Sequence, residues 1–238
     1  MNAEKTVLQY TWVSSMSLVV LTLITWALAM MAVPPAGPFC PGDCMEYPFH
    51  ELLSWYPRDY YWMYLAVFQL FAYLLFIIAN HYMARKERKL FSFSGLSFGL
   101  ISAIVLLVAY FIQFSVVPIS MMKSETEGIA LLTQYNGHGI FIVMEELGYI
   151  CMSISFLFLG IAYSRNTRGE RATRWLLLAA FPLTVVAFLF VALKFGIDRS
   201  YRFEVVAISI NWLVCIAGGI LIAIQSRKNM KSLLQRSQ

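Results

Sequence analysis

What this chain has little of is charge. Only 13% of its 238 residues are Asp, Glu, Lys or Arg, about half the share of an ordinary soluble domain. A soluble protein of this size needs a polar face on each element, and over long stretches none is present. Cysteine is also scarce, at four residues, which excludes a disulfide-dense secreted scaffold. Histidine occurs three times, and no metal-ligand box, phosphate-binding glycine loop or nucleophile motif can be found. No metal and no cofactor is therefore expected. The net charge of +5 is not a nucleic-acid footprint, because the basic residues gather at the ends of apolar runs, where they report topology.

What the chain has in abundance is apolar length. Hydrophobic residues make up 60%, and the mean hydropathy is +0.68. Six runs reach the roughly 20 residues that a helix needs to cross ~30 Å of hydrocarbon. They lie at about 11–33, 61–83, 92–117, 139–163, 175–196 and 204–225. This pattern predicts an all-α membrane protein, a bundle of six transmembrane helices forming one domain over residues 1–238. "ALA" at 27–29 looks like a signal-peptide cleavage site, but the apolar run is too long for a signal core and Lys5 alone precedes it, so the span is expected to be retained.

Orientation follows from the cations. Arg85, Lys86, Arg88 and Lys89 follow the second span, Arg165, Arg168, Arg171 and Arg174 the fourth, and Arg227, Lys228, Lys231 and Arg236 the sixth. The alternate loops carry Arg58, Lys123, Arg199 and Arg202 and most of the acids. The positive-inside rule then places both termini in the cytoplasm of a cell (plasma or inner) membrane, with the first, third and fifth loops outside. The basic tail after residue 225 is expected to be disordered or to lie on the inner leaflet.

Pro34-Pro35 should end the first span. The long loop that follows, 34–60, carries Cys40 and Cys44. In an oxidising compartment a disulfide is the default reading, and so small a ring would contribute only about 2 kcal/mol. A metal site with His50 or a redox couple are the alternatives, though the spacing matches neither a zinc box nor CxxC. Residues 51–56 read as a short interfacial helix dipping Leu52, Leu53 and Trp55 into the headgroups, and Tyr60, Tyr61 and Trp62 as an aromatic belt. In the third span Gly95 and Gly99 are spaced for close helix approach, and Pro182 should kink the fifth.

The chemistry concentrates in "GHGIFIVMEELGYI", residues 137–150, where Glu145 and Glu146 sit side by side in an apolar span. At 1.5 Å per residue they lie about 9–11 Å below the outer end of their helix. Gln69, Thr25, Asn211 and Tyr110 fall at about 10–12 Å in their own spans, Gln113 at about 6 Å and Lys194 at about 3 Å. The inner half is close to purely apolar, apart from serines of the first and fourth spans. A charge at mid-bilayer costs roughly 2.5–3.5 kcal/mol, so these groups should find one another. Adjacent carboxylates cannot both ionise cheaply there, so one is expected to hold a proton or to pair with Lys194 or His138. Tyr149 lies within one turn of both acids, and the two acids point about 100° apart, toward different neighbours.

The functional reading is an outward-opening polar pocket lined by Gln69, Tyr110, Gln113, Glu145, Glu146, Lys194 and Asn211, binding protons or a small cationic or amphipathic ligand, with membrane lipids as neighbours. The alternative is a membrane-embedded enzyme using Glu145 or Glu146, with His138 and Tyr149, as general acid and base on a lipid-like substrate. A transporter ranks third, since the inner half lacks a polar lining, and interhelical glue without a ligand is the plain structural alternative. The double glutamate brings to mind CAAX-type intramembrane proteases, but Ile150 stands where their arginine belongs and their later histidine motifs are missing. "GPFCPGDCMEYP", "YPRDYYWMY", "NGHGIFIVMEELGY" and "FGIDRSYRFEV" with "SINWLV" together resemble an uncharacterised family of six-span prokaryotic integral membrane proteins. That resemblance implies a multi-pass architecture and no particular activity.

Overall fold

The computed structural model describes residues 2–32 and 35–235. Eight α-helices follow in order: α1 (Asn2–Met31), α2 (Tyr61–Met83), α3 (Lys89–Ser115), α4 (Val117–Met122), α5 (Ile129–Leu132), α6 (Ile140–Ala162), α7 (Arg168–Phe195) and α8 (Arg202–Gln235). No strand occurs among the described residues. Six of the helices, all but α4 and α5, are long and apolar enough to cross a membrane. A backbone in lipid must satisfy its own polar groups, and only a helix does this within one segment.

The six pack as a closed ring. Each of α1, α2, α3, α6, α7 and α8 touches the next, α8 returns to α1, and α6 also reaches across to α8. The α3–α6 seam is the tightest. Ser155 on α6 donates to the Gly95 carbonyl at 2.6 Å. A Cβ on Gly99 would run into Ile77 and come within 2.9 Å of both Ser155 Oγ and Tyr73 Oη. Small residues here let two backbones meet, as the spacing suggested.

The helix ends show why the elements stop where they do. At α7, Thr167 Oγ1 accepts from Glu170 N at 3.1 Å and Glu170 accepts from Thr167 N at 3.1 Å, a reciprocal capping box. This cap starts α7 at Arg168, one to two turns earlier than the apolar run. At the other end of α6, Arg88 donates to the carbonyls of Ile161 (2.8 Å) and Tyr163 (3.0 Å). Arg174 donates to those of Gly160 (2.9 Å) and Ile161 (2.8 Å). The two arginines satisfy carbonyls that a helix terminus otherwise leaves orphaned, so part of the basic cluster is structural.

Several expectations are corrected. The tail is not loose, because α8 continues to Gln235. It packs along α1, where Ser226 donates to the Leu8 carbonyl at 2.6 Å. Arg236, Pro34 and residue 33, where the first span was expected to end, lie outside the described residues. The third loop folds into α4 and α5. The half of the bundle bearing the arginine clusters is less apolar than expected. Gln225 there donates to Thr173 Oγ1 (2.8 Å) and accepts from Tyr163 Oη (3.0 Å), and Asn80 donates to the Phe76 carbonyl at 2.8 Å. These groups are cheap because each finds a partner inside the bundle.

At the opposite end Cys40 and Cys44 form a disulfide. Residues His50–Trp55 form a short 3-10 helix at the expected place. Its Leu52 is fully buried in the core instead of dipping into headgroups, because this turn packs against α4. Tyr60 is likewise buried, while Tyr61 faces outward. Pro182 sits inside α7, which runs on unbroken.

Candidate functional site

Consecutive residues on a helix point about 100° apart, and α6 uses this to give its two glutamates different surroundings. Glu145 turns inward and is wholly buried. Tyr110 of α3 donates to its Oε1 at 3.0 Å. With that hydrogen committed, Tyr110 Oη accepts from Tyr149, one turn further along α6, at 2.9 Å. Asn211 of α8 donates to the Tyr149 carbonyl at 3.1 Å and to the Ala207 carbonyl at 2.8 Å. Tyr110, Glu145, Tyr149 and Asn211 thus form one connected set across three helices.

Glu146 turns toward the α7–α8 loop, where Arg199 donates to its Oε2 at 3.3 Å. Arg199 also lies over the Phe188 ring, 5.0 Å from its centroid. The expected pairing of a glutamate with Lys194 or His138 is therefore replaced. Lys194, in the last turn of α7, is exposed and lies against Phe190 and Phe195, 5.9 and 5.3 Å from their ring centroids. His138 precedes α6 instead of riding on it and is exposed. Its backbone N–H, not its ring, is engaged, donating to Asn136 Oδ1 at 3.1 Å.

Gln113 is buried but does not face the cavity. Its amide donates to the Leu132 carbonyl and its carbonyl accepts from Gln134 N, both at 2.7 Å. It latches the third loop to α3. Gln69 is buried on α2, away from the cavity wall, and its Oε1 has no hydrogen-bond partner.

The cavity lies at the disulfide end and encloses about 400 Å³. Glu145 forms part of its wall, together with Glu204 of α8 and Asp59 at the entry to α2. Glu204 is 7% exposed and shares this cavity wall with Glu145. Glu145 Oε2 has no hydrogen-bond donor. Asp59 is paired with Arg58 at 2.7 Å and accepts from Tyr135 at 3.5 Å. Burial pushes the Tyr135 hydroxyl well above its ordinary range, which keeps it a neutral donor to Asp59.

Three tryptophans stand in the wall, beside aliphatic and aromatic side chains such as Phe141, Ile142, Val205 and Ile208. Trp26 and Trp62 stand edge-on to Trp212, with ring centroids 6.1 and 6.5 Å away, and Trp62 also packs on Tyr110 at 5.5 Å. Ala36 and Phe39 of the disulfide loop and Tyr201 line the cavity as well. Gly37, at φ +74°, lies so close to the Tyr201 ring that a Cβ would overlap it. Tyr201 is held by donating to the Gln134 carbonyl at 3.2 Å. No Lys, Arg or His is among the residues that line the cavity. The three acids do not converge, and among the described residues no group of three or more His, Cys, Asp and Glu could hold a metal ion.

Asp59 and Arg199 escaped the sequence reading because each sat in a loop, and Glu204 because it stood at the very start of the sixth span, where a polar residue is unremarkable. One signal was available for Glu204: it precedes Asn211 by seven and Trp212 by eight, so it shares their helix face.

Fold and site together define an all-helical bundle with six helices of membrane-crossing length and an acidic, tryptophan-walled cavity near one end. Comparison of the chain with protein-family models, curated proteins and solved structures finds no match. These comparisons lend no support to the resemblance noted in its motifs, and the helices themselves carry the architectural conclusion.

Proposed function

We propose that this chain is a multi-pass protein of the cell membrane, with both termini cytoplasmic, and that the cavity opens outward to bind a small amphipathic organic cation, as a sensor or accessory protein would. Two features support the orientation. The arginine clusters stand at one end of the bundle, and the Cys40–Cys44 disulfide at the other suits an oxidising compartment. A fluorescent protein fused to the C-terminus should mature and fluoresce in cells, and a reporter that is active only outside the cytoplasm should stay silent there.

The observation that carries the ligand class is an aromatic box holding two carboxyl groups, Glu145 and Glu204, that no basic side chain on its wall compensates. A cation within about 6 Å of a tryptophan face gains roughly 0.5–2 kcal/mol, more as water is excluded. The volume suits a small ligand, and the apolar lining favours one that is itself partly greasy. Benzyltrimethylammonium and its neutral carbon isostere neopentylbenzene separate the terms, because they share a shape and differ in charge. Tryptophan fluorescence should report the cation binding at least about tenfold more tightly, which is about 1.4 kcal/mol. Equal binding of the two, or none, refutes the reading. Turnover of a lipid-like substrate, lost in Glu145→Gln, would move the reading to an enzyme.

A further inference from the structure

Glu145 and Glu204 come from different helices, line the same cavity and are almost wholly buried. Two bare carboxylates on one buried wall repel each other, with no guanidinium or ammonium on the cavity wall to offset them. The other ionisable groups around them are already occupied. On α3 and α6, Tyr110 gives its hydrogen to Glu145 and Tyr149 gives its own to Tyr110. Glu146 is paired with Arg199. Asp59 is paired with Arg58 and bonded by Tyr135, and Tyr201 donates to a backbone carbonyl. Lys194 lies on the outer side of α7. The unsatisfied oxygen, Glu145 Oε2, faces no donor except one that a proton on Glu204 would create.

We infer that the empty cavity holds one proton shared between Glu145 and Glu204, and that an entering organic cation expels it. The inference rests on the proposed cation site and specifies its coupling to pH. The exchange conserves charge. The carboxyl O–H bond breaks, the proton leaves the cavity for bulk water, and the ligand's positive charge takes its place beside the two carboxylates. Binding therefore strengthens as pH rises while the empty pair holds its proton, and levels off where the pair loses it unaided. By linkage, one proton released per cation bound means about a tenfold gain in affinity per pH unit.

The test is calorimetric titration of the full-length protein in detergent with benzyltrimethylammonium, in phosphate and in Tris. The two buffers differ in ionisation enthalpy, so the difference in apparent heat counts protons. About one proton released per cation is expected for the wild type. In Glu204→Gln and in Glu145→Gln the amide N–H replaces the shared proton as donor, so release should fall below about half a proton and the pH slope should flatten. As a second readout needing no variant, infrared difference spectra should show a protonated-carboxyl band in the empty protein that disappears with the cation. Wild-type binding without proton release overturns the exchange and leaves the cation site standing, as does full release by a folded Gln variant. No binding at any pH overturns both.

Discussion

Replacing Arg199 with Met should destabilise the protein more than replacing Arg199 and Glu146 together. Met keeps the apolar contact with Phe188 and removes the charge that faces Glu146 at 3.3 Å. At that distance two unit charges attract by about 5 kcal/mol in an effective dielectric near 20. Arg199 keeps 29% of its side chain exposed and Glu146 12%, so water recovers part of this in the variant. The stranded carboxylate also has an exit, since it can take a proton from solution at a cost of about 3–4 kcal/mol at pH 7 for a carboxyl that is ordinary when unfolded. The expected loss at pH 7 is about 2–3 kcal/mol. Because that loss is smaller than the cost of protonation at pH 7, the carboxylate stays charged there. Only at lower pH does the folded variant bind a proton that the unfolded state does not, so the penalty is level above pH 7 and shrinks toward pH 5. Adding Glu146→Gln removes the stranded charge and should bring the protein back to within about 1 kcal/mol of wild type. Reversible unfolding in mixed micelles, at two pH values for the single variant, measures all of this. A single variant as stable as the double, or a penalty that deepens toward pH 5, would show that the pair has been misjudged.

The tight seam gives a second prediction. Gly99→Val should lower stability by about 1–3 kcal/mol through overpacking against Ile77, Tyr73 and Ser155. Gly218→Ala, whose nearest neighbours would be leucine methyls at 3.8 Å, should be close to neutral. Thermal melts in detergent compare them. Gln113→Leu should cost about 2–3 kcal/mol, because it leaves the Leu132 carbonyl and the Gln134 N–H unpaired. Hydrogen exchange should then rise in the loop over 128–139 before it rises in α3. Reducing Cys40–Cys44 should remove only about 2 kcal/mol and leave the helical circular dichroism unchanged.

Apolar length made the six long helices readable, because lipid demands that length and nothing else in the chain competes with it. The same logic made Glu145 and Glu146 visible, since a charge inside a span is conspicuous. Depth along a span was legible but direction was not. Gln113, Lys194 and Glu145 were assigned to one outer pocket, yet Gln113 turns to a loop, Lys194 to the outside and Glu145 to the interior. Partners contributed by connections were hidden for a different reason. Arg199, Glu204 and Asp59 lie where polarity is unremarkable, and only the folded bundle shows that Glu204 and Asp59 are buried. Trp62 looked like a membrane-interface residue, because an indole suits a headgroup layer as well as it suits a cavity wall.

The most direct measurement is a crystal structure of the protein grown with 4-bromobenzyltrimethylammonium, read through the anomalous signal of bromine. One peak inside the box formed by Trp26, Trp62 and Trp212, with the ammonium beside Glu145 and Glu204, is the result this account predicts. A peak confined to the lipid-facing surface, or an empty cavity at saturating ligand, would contradict it.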